Sequence, residues 1–234
     1  MEIYQVYNNK VKKEEVSHRN PQDNFKEYEI LCYHRIIDND CPNYLYPDDG
    51  LSVSLRNFKK QLNYNKRNFN LIDLKKNDIT CENNFKIKVL ITFDDGYKDI
   101  ITLVLPLIEK LNVPIVVFIS TGLIENHNEF CWWIDLWHGL ISKSIISLNF
   151  NNEKKTFPLE SFSHKMKCYK YVSRILIDMK RESQIAFFEE NNLDINNIKD
   201  FLSAEDVKIL SSHPLVTLGY HSNYHLNYLS LIHI

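Results

Sequence analysis

The chain has 234 residues, 44% of them hydrophobic, and its 28 Lys and Arg nearly balance 30 Asp and Glu for a formal net charge of -2. This length suits one globular domain, and the hydrophobic content excludes a disordered chain. The thinly spread charge leaves no electrostatic footprint for nucleic acid or a membrane surface, so a small-molecule or glycan partner is expected. No apolar run reaches the ~18 residues of a membrane span, and the polar start MEIYQVYNNKVKKEE lacks the apolar stretch of a secretory signal, so a cytoplasmic setting is expected.

Residues 1–28 read as a polar N-terminal extension. Strands are then predicted over Ile30 to Tyr33, Val89 to Phe93, Ile115 to Ile119 and Val216 to Leu218, because short apolar runs rich in β-branched residues recur there. Between them, Leu55 to Tyr64 places Leu55, Phe58 and Leu62 on one helical face. Lys98 to Leu111 repeats that pattern, with Pro106 expected to kink it or end its first part. A longer stretch, about 130–192, interrupts the alternation and reads as a mostly helical insertion that opens with Trp132, Trp133 and Trp137, assigned to a core. Ser203 is a helix cap, with Asp206 in the place of a capping-box Glu. Alternating β and α units imply a parallel sheet or barrel.

Parallel α/β folds carry their chemistry at the carboxyl ends of strands, where loops and helix N-termini share one face. Those ends hold His34 and Arg35, then Asp94, Asp95 and Gly96, then Ser120 and Thr121, and finally His221 with His225 four residues on. Two adjacent carboxylates at a buried strand end repel each other unless a cation lies nearby. Pleating is expected to turn their side chains apart, so that one binds a metal and the other acts on its water, while Gly96 permits a tight exit. His221 and His225 share one face if a helix begins there. Two imidazoles and a carboxylate make a facial set that suits zinc, iron or cobalt.

The five cysteines, Cys32, Cys41, Cys81, Cys131 and Cys168, are odd in number and contain no CxxC pair, and so read as reduced, ordinary residues. His34 is read as structural, and Ser120 and Thr121 as capping residues.

The segments ITFDDGYKD (residues 91–99) and HSNYH (residues 221–225) resemble the first two motifs of the polysaccharide deacetylase family, also called the NodB-homology or carbohydrate esterase 4 family. LCYHRI is similar to that family's N-terminal strand, and LSAEDVKIL before VTLGYHS to the lead-in of its second motif, so the likeness runs over about 29–228. The resemblance implies an α/β fold, a deformed (β/α) barrel of the NodB type. It implies a metal-dependent hydrolase that removes N-acetyl groups from an N-acetylated sugar, glycan or glycan precursor. Carried over to this sequence, Asp94 is the catalytic base, while Asp95, His221 and His225 bind one divalent metal ion, zinc by expectation, with cobalt or iron also open.

The family's later motifs, which supply an Arg, a Tyr-Pro loop and a general-acid His, fall beyond Ile234, so the C-terminal strands are expected to be missing. The ending LSLIHI (229–234) matches a translated sequencing adapter and is read as a non-native tail. Poor stability and little or no activity are the expectation for such a fragment. Other readings of the same residues are a metal-dependent amidase on a non-sugar C–N bond, a non-catalytic glycan-binding relative and a non-haem iron oxygenase. The last is disfavoured by the βα alternation. Neither substrate identity nor oligomeric state is legible.

Overall fold

A computed structural model describes residues 2–7, 10–15, 28–38, 51–76, 87–125, 130–151, 153–194 and 200–223. In chain order the strands and helices are β1 Glu2–Tyr7, β2 Lys10–Glu15, β3 Tyr28–Tyr33, β4 Arg35–Ile37, β5 Ser52–Ser54, α1 Leu55–Asn68, β6 Asn70–Leu71 and β7 Lys88–Phe93. They continue with α2 Leu105–Leu111, β8 Ile115–Ile119, α3 Thr121–Glu125, α4 Trp132–Ile141, β9 Ile145–Phe150, β10 Glu153–Pro158, α5 Phe162–Leu176, α6 Arg181–Glu190, α7 Ala204–Ser212 and β11 Val216–Tyr220.

The four predicted strands are present, and they lie in one parallel sheet ordered β11-β8-β7-β3. β7 is the pivot. It pairs with β3 along its whole length, while β6 meets its start at Lys88 and Val89 and β8 meets its end at Thr92 and Phe93. The fold is mixed α/β around this sheet, which does not close into a barrel among the described residues. Two departures from the sequence reading concern hairpins. The polar N-terminal extension contains the antiparallel pair β1–β2, and the helical stretch contains β9–β10. The second hairpin escapes a helix-period reading because its inward residues, Ile146 and Leu148, alternate with exposed ones.

Helix α1 begins where predicted. The Ser54 side chain accepts the Asn57 N–H at 3.3 Å, and Lys66 and Arg67 in the last turn complement the C-terminal end of the helix dipole. Phe58 and Leu62 are fully buried. Pro106 acts differently from a simple kink. With no N–H at that position, residues Ile100–Val104 form a π-turn in which the Leu105 N–H reaches the Ile100 carbonyl, and regular α-helix resumes with the proline in its first turn. At Ser203 both halves of the capping box form, since Asp206 accepts the Ser203 N–H and Ser203 accepts the Asp206 N–H.

Two cores result. The first lies on the sheet and joins Phe93, Ile91 and Val117 to Phe58, Leu62, Ile100, Ile108 and Leu210. The second is built by 130–193, where Trp137, Leu140, Leu148, Val172 and Phe188 pack together, so Trp137 is a core residue. In the first core the Phe58 ring meets Tyr33 edge-on at 5.0 Å and Phe93 at 5.6 Å. It therefore locks the last residues of β3 and β7, the two strands that deliver His34 and Asp94.

A buried ionic knot ties the same strand ends to the turn that follows β7 and to the segment before α7. Arg35, 8% exposed, lies 3.6 Å from Asp99 and 3.3 Å from Asp200, and its guanidinium sits 4.4 Å from the centre of the Tyr97 ring. Asp99 also accepts the Ile36 N–H at 2.8 Å. Burial pushes the Asp99 carboxyl up to about 6, with Arg35 and the Ile36 N–H opposing that rise.

Phe58→Ala is expected to cost about 3–5 kcal/mol in denaturant unfolding, as for other large buried aromatic truncations. Arg35→Met strands the buried Asp99 carboxylate and the partly buried Asp200 and is expected to cost about 3–5 kcal/mol near neutral pH. Because the folded-state pKa of Asp99 is raised, its protonated form is favoured in the fold, and stability is lost as pH rises through about 6. Removing the cation raises that pKa further, so the Arg35→Met deficit grows on the alkaline side of this window and shrinks on the acid side. Unfolding curves at several pH values check this.

Candidate active site

Asp94 and Asp95 follow β7 directly. β7 ends at Phe93, the Asp94 N–H donates to the Tyr33 carbonyl at 2.9 Å, and Asp95 then enters the left-handed region at φ 72°. Gly96 continues the turn at φ 81°, and a Cβ there would lie 3.3 Å from Ile119. The two carboxylates do face different neighbours, as expected, but the cause is this turn and not the pleat of a strand. Asp94 turns toward β3, where its Oδ2 accepts the Cys32 S–H at 3.2 Å. Asp95, 3% exposed, turns toward the end of β11, where its Oδ1 lies 3.5 Å from His221 Nε2. A left-handed Asp costs on the order of 1 kcal/mol, so the turn stores strain at the one place where two anions are separated.

His221 is the first residue after β11, and its N–H donates to the Ile119 carbonyl at 2.8 Å, continuing the β8 pairing by one step. Ser120, fully buried, donates through its hydroxyl to the His221 carbonyl at 3.0 Å and through its N–H to the Asp95 carbonyl at 3.4 Å. It thereby ties together the two residues that face each other. The approach of β11 to β8 is close: a Cβ on Gly219 would lie 2.4 Å from the Phe118 ring.

Residues 221–223 are not helical, so the condition under which His221 and His225 would share a helical face is not met within the described residues. Ser222 has φ 63°, and the Ser222 and Asn223 carbonyls accept the N–H groups of Thr121 and Gly122 at 3.3 and 2.9 Å. This loop caps the start of α3, which needs those acceptors, so the backbone is held open instead of coiling. Thr121 adds a hydroxyl contact to the Asn223 side chain at 3.0 Å. Ser120 and Thr121 thus act in backbone and turn fixation, as read from the sequence. His225 lies outside the described residues.

Sequence reasoning assigned no role to Cys32 and treated His34 as structural. Yet Cys32, His34 and Asp94 bring a thiol, an imidazole and a carboxylate within 4.8 Å of one another. Partial burial and then the Asp94 charge push the Cys32 thiol up to about 11, although its surface reaches solvent. A readable signal was present: Cys32 lies near the end of β3 and His34 directly follows that strand, two residues on, where extended alternation returns to the same face. Tyr97, in the turn after Asp95, stacks on Phe201 at 4.9 Å, and its hydroxyl accepts the Trp133 Nε1–H at 2.9 Å. Burial holds its phenol well above the ordinary value, so it stays neutral. Trp133 therefore fastens α4 to the site turn.

Asp95 and His221 suit a divalent cation. Ligand atoms on a tetrahedral zinc lie roughly 3.3–3.8 Å apart given its bond lengths, and the observed 3.5 Å falls in that range. The donor set, one carboxylate oxygen and one imidazole nitrogen, is equally suited to zinc, cobalt and iron.

The polysaccharide deacetylase family model matches residues 82–231, more than half of the chain. No curated protein matches the sequence. Among solved structures, the chain is similar to a de-N-acetylase from Aggregatibacter actinomycetemcomitans, with 14% identity, 83% of this chain and 54% of that one covered, and a TM-score of 0.44. It is similar to the BpsB deacetylase domain from Bordetella bronchiseptica, with 16% identity, the same coverage and a TM-score of 0.38. IcaB from Ammonifex degensii gives 23% identity over 43% of this chain and 41% of that one, with a TM-score of 0.33. The chain thus spans about half the length, or less, of these structures. Because the family match takes in both the Asp94–Asp95 turn and the His221 loop, the residues around which the site is built, the chain belongs to the polysaccharide deacetylase family.

Proposed function

We propose that the protein is a metal-dependent hydrolase that removes N-acetyl groups from an N-acetylated sugar or glycan, with Asp94 as general base and Asp95, His221 and His225 as metal ligands. The observation that carries this reading is the pairing of Asp95 Oδ1 with His221 Nε2 at 3.5 Å, beside a second carboxylate turned the other way on the same strand end. A divalent ion held by Asp95 and His221 would supply Lewis-acid chemistry, polarising an amide carbonyl and making water a better nucleophile near neutral pH. The remaining work falls to the chain.

Asp94 accepts the proton of the attacking water, which requires an ionised, positioned carboxylate. Two contacts position it: the Cys32 S–H at Oδ2 and the backbone N–H bond to Tyr33. Asp95 is held by the strained turn and by the Ser120 N–H on its carbonyl, and the Ser120 hydroxyl fixes the peptide of His221. Water adds to the acetamide carbonyl, the C–N bond breaks, and acetate and the free amine leave, the amine carrying away a proton. Among the described residues no helix is long and apolar enough to cross a membrane.

Acetate release from chitin oligosaccharides is expected of a version extended through the family's later motifs, to be lost on treatment with a chelator and restored by one equivalent of zinc or cobalt. Asp94→Asn is expected to lower kcat by about 10²- to 10⁴-fold, the range of a positioned base, while the protein still binds metal. Parallel acetate assays and metal analysis check both. An Asp94→Asn protein with undiminished kcat contradicts the assignment of the base.

A further inference from the structure

We propose that Cys32, His34 and Asp94 form a metal site of their own, separate from the Asp95–His221 pair and selective for a thiophilic divalent cation of the zinc and cadmium type. The three donors converge for a reason visible in the strand register. Cys32 pairs with Thr92 and Tyr33 with Phe93, and the Asp94 N–H bond to Tyr33 carries the ladder one step further. Cys32 and His34 alternate with buried Tyr33, and Thr92 and Asp94 alternate with buried Phe93. One face of two neighbouring parallel strands therefore presents a thiol, an imidazole and a carboxylate together.

The dimensions fit. All three ligand atoms lie within 4.8 Å of one another, and the Cys32 Sγ to Asp94 Oδ2 distance is already 3.2 Å. Tetrahedral zinc needs donors roughly 3.3–3.8 Å apart, so no pair has to close by more than about 1.5 Å, within reach of a side-chain adjustment. Thr92, 3% exposed, is the register partner of Cys32 on the adjoining strand and packs behind it. Cys32 is exposed, which leaves an entry path and a fourth position for water. A thiolate selects zinc or cadmium over magnesium or calcium.

Binding exchanges the thiol proton for the metal: the S–H bond breaks, the proton passes to solvent, and sulfur, nitrogen and oxygen each donate a lone pair. The cation then engages the Asp94 carboxylate. If Asp94 is the base of the reaction proposed above, occupancy withdraws it and inhibits turnover. That consequence rests on the functional reading, whereas the site itself does not.

Cobalt titration of the purified chain tests the site, because a thiolate ligand gives cobalt a near-ultraviolet charge-transfer band. The wild type is expected to develop this band and to lose it when zinc or cadmium is added. Cys32→Ser should abolish the band and remove one bound equivalent, and His34→Ala should weaken binding by at least about tenfold. The band should survive in His221→Ala and in a Cys41→Ser, Cys81→Ser double variant. Peptide mapping after alkylation supplies a readout that needs no variant: cadmium should protect Cys32. A folded wild type with no band, a band that persists in Cys32→Ser, a band lost in His221→Ala, or Cys32 alkylated equally with and without cadmium overturns the proposal. A band that appears as expected, while a version extended through the family's later motifs releases no acetate, removes the deacetylase reading and leaves the site standing.

Discussion

Two like charges on adjacent residues at the end of a buried strand set the central constraint of this molecule. Asp94 and Asp95 sit where β7 leaves the sheet, and side-by-side carboxylates there repel unless they are separated and compensated. The chain separates them with a left-handed turn at Asp95 and Gly96, so that one carboxylate meets Cys32 and the other meets His221. That turn is strained, and strain persists only where surrounding contacts outweigh it. The structure supplies them through Ser120, the Leu202 N–H on the Gly96 carbonyl, and the stacking of Tyr97 on Phe201.

Those contacts also explain how distant parts of the chain serve one site. Arg35, the first residue of β4, is joined to Asp99, beyond the turn, and to Asp200, before α7. Trp133 ties α4 to the same turn through Tyr97 and packs against the cluster that holds Tyr97 and Phe201. Phe58 fills the space beneath β3 and β7. Sheet, ionic knot and α4 all bear on the backbone between Phe93 and Ile100, so the geometry of two carboxylates depends on residues from most of the described chain.

Much of this was legible in the sequence, and the limits have physical causes. Apolar runs announced the four parallel strands because buried parallel strands need such runs, and Ser203 with Asp206 announced the α7 capping box. The placement of Asp94, Asp95 and His221 directly after β7 and β11 was readable because apolar runs mark where those strands end. The β9–β10 hairpin was missed since its alternating pattern lay inside helix-favouring sequence. The loop at Ser222 was missed because its shape is imposed by α3, an element far away in the chain that requires acceptors for its first N–H groups. Arg35, Asp99 and Asp200 form a tertiary knot with no local spacing, whereas the alternation of Cys32 with His34 was on the page and went unread because a lone cysteine carries little weight without its neighbour across the sheet.

The most direct test of this account is the metal stoichiometry and affinity of the purified chain, measured beside Asp95→Ala, His221→Ala and His225→Ala, each confirmed as folded. If Asp95 and His221 are ligands, each of these substitutions removes the same single equivalent of zinc or cobalt from the protein. Retention of that equivalent by folded Asp95→Ala or His221→Ala would contradict the account at its centre.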